Sequence, residues 1–291
     1  MQTEELVEGA LLTALLTIMI IIGVVLPLGE ILMMLSPLPI IVAVTRWDSR
    51  LGIMVSLLSA IILFILINPG LFLFAIFYTG LLGVTLGAAF TESFKPKIIL
   101  GIGTISAVFS FLLSFLVVRY ILNIDIIAQF MEQINIAAQA YQQLGLPAEV
   151  ADQVAQQLII TLKTTFPTLM LCSGLLIAGL NYYFSVNVLS KLDFNYPYQL
   201  EAKKFQLSKL FIVLYLLTLF FNNIFFANIS ILLTFLFSLQ GFSVTYYFYK
   251  TKELSKWYLI VGLLFFPLVI NLLFLLGLID IWFDFRNLDD A

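Results

Sequence analysis

Arg119 and Lys163 are the cations whose placement could do chemistry. They stand at the two roots of the long polar stretch from Asn123 to Leu158, and the second is set among hydroxyls: Thr161, Thr164, Thr165 and Thr168. Two cations and a hydroxyl cluster beneath a polar cover can hold an anionic or strongly polar small molecule, so Arg119, Lys163, Thr164 and Thr165 form the candidate ligand site. The competing reading is that both cations snorkel to water or pair with acids of the polar stretch. A second candidate is Ala10 and Ala14, one helical turn apart. Small residues at that spacing let another helix approach closely, whether inside this chain or in a partner.

Other chemistries are excluded by residue type. The chain has no histidine and one cysteine, Cys172, so it offers no disulfide, no zinc site and no Ser/His or Cys/His pair. None of its glycines opens a Gly-x-x-x-x-Gly-Lys-Ser/Thr loop, so energy from ATP must come through a partner. No cofactor and no catalytic residue is expected, and the chain reads as a non-enzyme. A net charge of -3 without a basic stripe makes nucleic acid an unsuitable partner.

The elements that position these residues are membrane spans. With 62% hydrophobic and 11% charged residues and a mean hydropathy of +1.09, the composition is that of an integral membrane protein. Met1-Gln2-Thr3-Glu4-Glu5 is acidic where a secretory signal needs a basic region. Nine stretches fit a crossing of about 20 apolar residues: Leu6 to Leu26, Ile31 to Val44, Leu51 to Ile67, Leu71 to Phe90, Ile98 to Val118, Ile159 to Leu189, Leu210 to Asn228, Ile231 to Tyr249 and Trp257 to Leu278. Pro37 and Pro39 interrupt the second, which lowers the count to eight if it does not span.

Lys and Arg fix the orientation, because short cytoplasmic loops are enriched in them. With the N-terminus inside, Arg46, Arg50, Lys95, Lys97, Lys191, Lys203, Lys204, Lys209, Lys250, Lys252 and Lys256 fall on the cytoplasmic side, leaving Arg119, Lys163 and Arg286 outside. The C-terminus is then extracytoplasmic. Asp280 and Asp284 lie in the outer tail, and no ionisable residue falls near the middle of a span.

Between the fifth and sixth spans, Ile127, Phe130, Met131, Ile134, Ala138, Tyr141 and Leu144 recur at helical spacing. Gly145-Leu146-Pro147 stops and restarts the helix, and Val150, Val154 and Leu158 continue into the sixth span, which Pro167 kinks. The polar stretch is thus an extracytoplasmic helical hairpin and a candidate lid. Asn222, Asn223, Gln240 and Asn271 lie within the later spans, where amides act as interhelical glue. Gly80, Gly83 and Gly87 make a small-residue stripe suited to internal packing. The expected architecture is an all-α polytopic bundle: five spans over 1–122, the hairpin over 123–158 and four spans over 159–291.

Leu180-Asn181-Tyr182-Tyr183 running on to Val188-Leu189-Ser190-Lys191-Leu192 is one of three stretches that carry a resemblance. The others are Gln240-Gly241-Phe242-Ser243-Val244-Thr245-Tyr246-Tyr247-Phe248 and Gly277-Leu278-Ile279-Asp280-Ile281-Trp282-Phe283-Asp284-Phe285-Arg286. Through them the chain resembles the YybS-like family of uncharacterised bacterial membrane proteins, which implies a bacterial plasma membrane and no particular activity. The front half resembles the substrate-binding S component of energy-coupling factor (ECF) vitamin transporters. Ala10 and Ala14 match that family's Ala-x-x-x-Ala motif in the first span, and Pro37-Leu38-Pro39 shares its interrupted second span. The resemblance implies that Ala10 and Ala14 dock on a transmembrane coupling subunit served by ATPases. S components usually have six spans with both ends cytoplasmic, which this chain exceeds. The leading functional expectation is a small-molecule uptake or substrate-binding component; the alternative is a non-transporting scaffold for envelope or membrane-complex assembly, with the hairpin and the Asp280 to Arg286 tail as outer docking surfaces. A third reading is a lipid-handling protein that uses the amphipathic arm.

Overall fold

In the computed structural model, residues 3–27, 29–145, 147–194, 196–198, 202–221, 223–252 and 266–286 are described. All their regular structure is helical. Among the described residues, six helices are long and apolar enough to cross a membrane: Thr3–Val25, Ser49–Leu66, Pro69–Thr91, Pro96–Tyr120, Ala148–Ser190 and Ile224–Thr251. The second and seventh expected spans correspond to shorter pieces, and of the ninth the described part is helical from Phe266. Residues 257–265 of the ninth, and Asn222 and Lys256, lie outside the described residues. The chain forms two compact units, one of Met1–Ile159 with Ser173–Gln199, the other of Ile160–Cys172 with Leu200–Ala291. The boundary at 159/160 falls next to the expected end of the hairpin, inside α9 (Ala148–Ser190), which is one unbroken 43-residue helix.

In the first unit, α1 (Thr3–Val25) turns Gly9, Leu12, Thr13, Leu16, Thr17 and Ile20 inward. The expected second span is broken into α2 (Glu30–Met34) and α3 (Leu38–Arg46) at Pro37, which caps the start of α3. Pro39 through Thr45 are all buried, so α3 is encased rather than lipid-facing, and that requires neighbours with little side chain. Gly83 and Gly87 supply it: a methyl on them would meet Ile40 Cβ at 2.7 Å and Val44 Cβ at 2.5 Å. Gly80 is closed off by Ser56 and Gly52 by Val44. The stripe in the fourth span is therefore internal packing.

Asp48 caps α4 (Ser49–Leu66) by accepting from Leu51 N at 2.8 Å, and Asn68 caps α5 (Pro69–Leu73) through Leu71 N at 3.0 Å. The same rod continues as a π-helical segment, Phe74–Gly80, and then as α6 (Leu81–Thr91). After α7 (Pro96–Tyr120) comes α8 (Ile126–Gln143). Gly145, at φ +98°, makes the left-handed turn into α9. The arms are zipped by Ala138, Ala151 and Ala155 with Ile134 beside them.

In the second unit, α10 (Leu210–Phe220) is followed by α11 (Ile224–Thr251). Asn223 accepts from Phe226 N at 3.0 Å, so it is a helix cap and not the interhelical amide expected of it. The last element is α12 (Phe266–Phe283). Phe237 meets Phe274, with rings 6.0 Å apart; a methyl on Gly277 would stand 2.7 Å from Gly241 N; and Ser243 meets Arg286. Both members of these pairs rise together along the chain, so α11 and α12 run parallel.

The α11–α12 contact tolerates no side chain at its crossing, since a Cβ on Gly241 would fall on Leu273 O and one on Gly277 on Phe237 O. Gly241→Val or Gly277→Val should force the helices apart and cost about 1–3 kcal/mol or more. Gly101, where an added methyl would meet nothing within 4 Å, is the control, and Gly101→Ala should be neutral or stabilising by up to ~1 kcal/mol. Thermal unfolding of the detergent-solubilised protein separates these outcomes; equal midpoints for all three variants would refute the close crossing.

Candidate functional site

The residues singled out in sequence fall in both units, each with its own local partners. In the first, Arg119 in the last turn of α7 lies 3.4 Å from Asp125, which also caps α8 through Ala128 N at 3.0 Å. The two side chains are 42% and 48% exposed, so the pair is worth at most about 1 kcal/mol and positions the hairpin root. In the second, Lys163 is exposed on α9. Thr164 and Thr165 donate their hydroxyls back to Thr161 O at 3.1 and 2.7 Å, and Thr168 donates to Asn228 Oδ1 at 2.5 Å. Asn228 Nδ2 in turn donates to Thr164 O at 3.0 Å. Pro167 lacks the amide that would satisfy a carbonyl one turn back, and Asn228 binds beside that gap. The threonine hydroxyl protons are thus engaged within the helix or with Asn228.

Two polar clusters lie deeper. In the first unit, the break between α2 and α3 leaves carbonyls without helical donors. Ser36 bonds Met33 O at 2.6 Å, and Met34 O accepts from both Tyr78 Oη and Asn181 Nδ2 at 3.0 Å. Tyr78 comes from the π-helical segment, a local widening that often marks a functional position. Its ring stacks between Phe74 at 4.8 Å and Phe111 at 6.0 Å. Asn181 is fully buried, and neither its Oδ1 nor Ser185 Oγ has a hydrogen-bond partner among the described residues. Nearer the loops, Tyr196 donates to Phe94 O at 2.5 Å, and desolvation pushes its phenol above the ordinary tyrosine value, so it stays a donor.

The second cluster is ionic. Asp280 in α12 and Arg286 just beyond it form a pair at 2.7 Å with neither side chain exposed. Asp284, at φ +41°, turns the chain so that Arg286 folds back. Gln240 Nε2 donates to Asp280 Oδ2 at 2.8 Å, while Gln240 Oε1 accepts from Leu207 N at 2.8 Å. Arg286 also donates to Ser243 Oγ at 2.6 Å, Lys203 O at 2.7 Å and Phe205 O at 2.9 Å. The guanidinium therefore replaces the helical donors that the non-helical 205–209 segment lacks. An open depression of about 430 Å³ lies alongside, lined by Gln206, Leu207, Ser208, Lys209 and Ile281.

The bond from Arg286 to Lys203 O sets the end of α12 beside the Lys203–Lys209 segment. Within the 280–286 tail Asp280 and Arg286 are buried, while Trp282, Phe283 and Phe285 are exposed. The buried ion pair stands at the end of α12 and not near the middle of a span. Gln240 is the interhelical amide its position foretold. The signal that could have found the pair is the six-residue spacing of Asp280 and Arg286 after an apolar helix, in an outer tail where a basic residue breaks the charge rule.

Over residues 14–281 the chain matches the family described as predicted membrane protein (DUF2232), and it belongs to that family. It is 24% identical to the uncharacterized protein YybS of Bacillus subtilis (strain 168) over 308 residues, covering 98% of each chain. No solved structure matches it.

Removing one member of a buried ion pair strands the other, at a cost of roughly 3–5 kcal/mol. Asp280→Leu and Arg286→Leu should each lower the unfolding midpoint sharply, and the double variant should recover much of the loss because no charge is left unpaired. If each single change behaved like a surface substitution, within about 0.5 kcal/mol of the parent, the buried pair would be disproved.

Proposed function

We propose that this member of the DUF2232 family is a substrate-binding or uptake component for a small molecule and draws its energy from a separate ATP-driven partner. The observation that carries the reading is the position of Ala10 and Ala14. Both are exposed on α1, beside exposed Val7, Leu11 and Leu15, while Gly9, Leu12, Thr13 and Leu16 take the inward face. Internal packing therefore does not explain their spacing, and a small-residue stripe turned to lipid is suited to receiving a partner helix. In this reading Ala10 and Ala14 meet a coupling subunit like that of the ECF transporters.

Sidedness supports it further. Glu8 in α1 lies 3.2 Å from Arg46 and accepts from Trp47 Nε1 at 2.9 Å, which ties the start of the chain to the basic loop after α3. Arg286 is tied to the basic Lys203–Lys209 segment in the same way. With basic loops inside, both the first turn of α1 and the end of α12 are cytoplasmic, as in S components. That leaves the hairpin outside, and Arg119 and Lys163 at its roots are the proposed ligand contacts. The bilayer is that of a bacterial plasma membrane, and the chain itself performs no bond-making chemistry.

Affinity purification in mild detergent with mass spectrometry of both proteins and small molecules tests this reading. Ala10→Leu combined with Ala14→Leu should lose a co-purifying ATPase-bearing assembly; retention of every partner would end the docking idea. Separately, Arg119→Ala and Lys163→Ala should each reduce a retained polar metabolite by roughly tenfold, equivalent to about 1.4 kcal/mol. Undiminished retention would return both cations to an interfacial role.

A further inference from the structure

We infer that the outer hairpin is a self-association module, pairing with the hairpin of a second copy of this chain to make a four-helix bundle on the outer face of the membrane. This inference does not depend on the transport reading. It starts from the helical phase of the two arms. The seam between α8 and α9 is made by Ala138, Ala151 and Ala155. At about 100° per residue, Phe130, Tyr141 and Leu144 share one face of α8 roughly 90° from Ala138, and Val150, Val154 and Leu158 share one face of α9 about as far from Ala151 and Ala155. Because both helices are right-handed and antiparallel, these faces fall on the same side of the hairpin. Glu132, Glu149 and Asp152 fall on the other, where Gln142 Nε2 bridges the seam to Asp152 Oδ1 at 3.1 Å.

The apolar side is uncovered. Phe130 is 55% exposed, Tyr141 59%, Leu144 82%, Val150 44%, Val154 52% and Leu158 52%. Lipid is a poor occupant. The helix that carries the second arm is unbroken for 43 residues, roughly 65 Å against a hydrocarbon core of about 30 Å. The hairpin must therefore stand off the membrane with its apolar side facing along it, and the kink at Pro167 tilts such a rod without laying it flat. No Lys or Arg lies between Arg119 and Lys163, so nothing on the hairpin attracts anionic headgroups.

A second copy fits. An interface about a two-fold axis sets a patch against itself, so a patch of one charge repels its mate and an uncharged one does not. The apolar face carries no ionisable carboxylate or amine, and the acids are turned outward where a paired hairpin would not meet them. Two copies inserted with the same sidedness in one bilayer are related by a two-fold along the membrane normal. That operation brings the two uncovered faces together, burying four helices around one apolar core.

Cysteine cross-linking in native membranes, with Cys172→Ala as the background, tests this. Tyr141→Cys and Val154→Cys should each give a band at twice the chain mass with a short homobifunctional maleimide, confirmed by mass spectrometry as this chain alone. Gln139→Cys, on the acidic side, should give none. Val154→Glu with Leu158→Glu should abolish the Tyr141→Cys cross-link while leaving expression and the thermal midpoint unchanged, since both sites are exposed. The proposal is overturned if Tyr141→Cys and Val154→Cys fail to cross-link, if they cross-link to a different protein, or if Gln139→Cys cross-links equally well.

Discussion

Hydrocarbon offers no hydrogen bonds, so every place where a helix breaks inside the bilayer must be answered by a side chain. The fold turns on these answers. At Pro37 the freed carbonyl of Met34 is taken by Tyr78 and Asn181. Beside Pro167 Asn228 reaches Thr164 O, and in the π-helical segment Ser56 donates to Ala75 O at 3.0 Å. The same need arises in the non-helical segment before α10, where the carbonyls of Lys203 and Phe205 are met by Arg286. Each of these polar side chains has a backbone irregularity to explain it, and the irregularities are where the units acquire shape beyond parallel rods.

The Arg286 answer is the costly one, because a guanidinium brought out of water needs a counter-charge. Asp280 supplies it, and Gln240 and Ser243 complete the set. Such a pair adds little net stability over an apolar replacement; its value is in specifying one register. Here the register is the parallel run of α11 and α12, which the crossing at Gly241 and Gly277 makes close. Parallel neighbours put the end of α12 beside the basic Lys203–Lys209 segment.

Sequence alone carried the helical class, the long spans, the break at Pro37 and the arms of the hairpin, because each rests on local period, length or proline stereochemistry. It also placed Gln240 correctly, since an amide in hydrocarbon has few other uses. It failed where the answer depends on which face meets what. Ala10 and Ala14 have the same spacing whether they pack inside or face lipid, and only the exposure of α1 separates the two. Arg286 counted as an outer charge because loop charge statistics assume that consecutive apolar stretches alternate in direction, and α11 and α12 do not. The threonines near Lys163 read as a ligand cluster, and in the helix the hydroxyls of Thr164 and Thr165 donate to carbonyls one turn back, an engagement their spacing alone does not display.

The bond from Arg286 to Lys203 O carries the account, because it sets the end of α12 on the same side as the Lys203–Lys209 segment. In a Cys172→Ala background, Lys204→Cys and Phe285→Cys can be probed with a membrane-impermeant maleimide on intact cells and on inverted vesicles. The account predicts that both positions are protected in cells and labelled in inverted vesicles. Labelling of Phe285→Cys in intact cells, with Lys204→Cys reacting only in inverted vesicles, would contradict it.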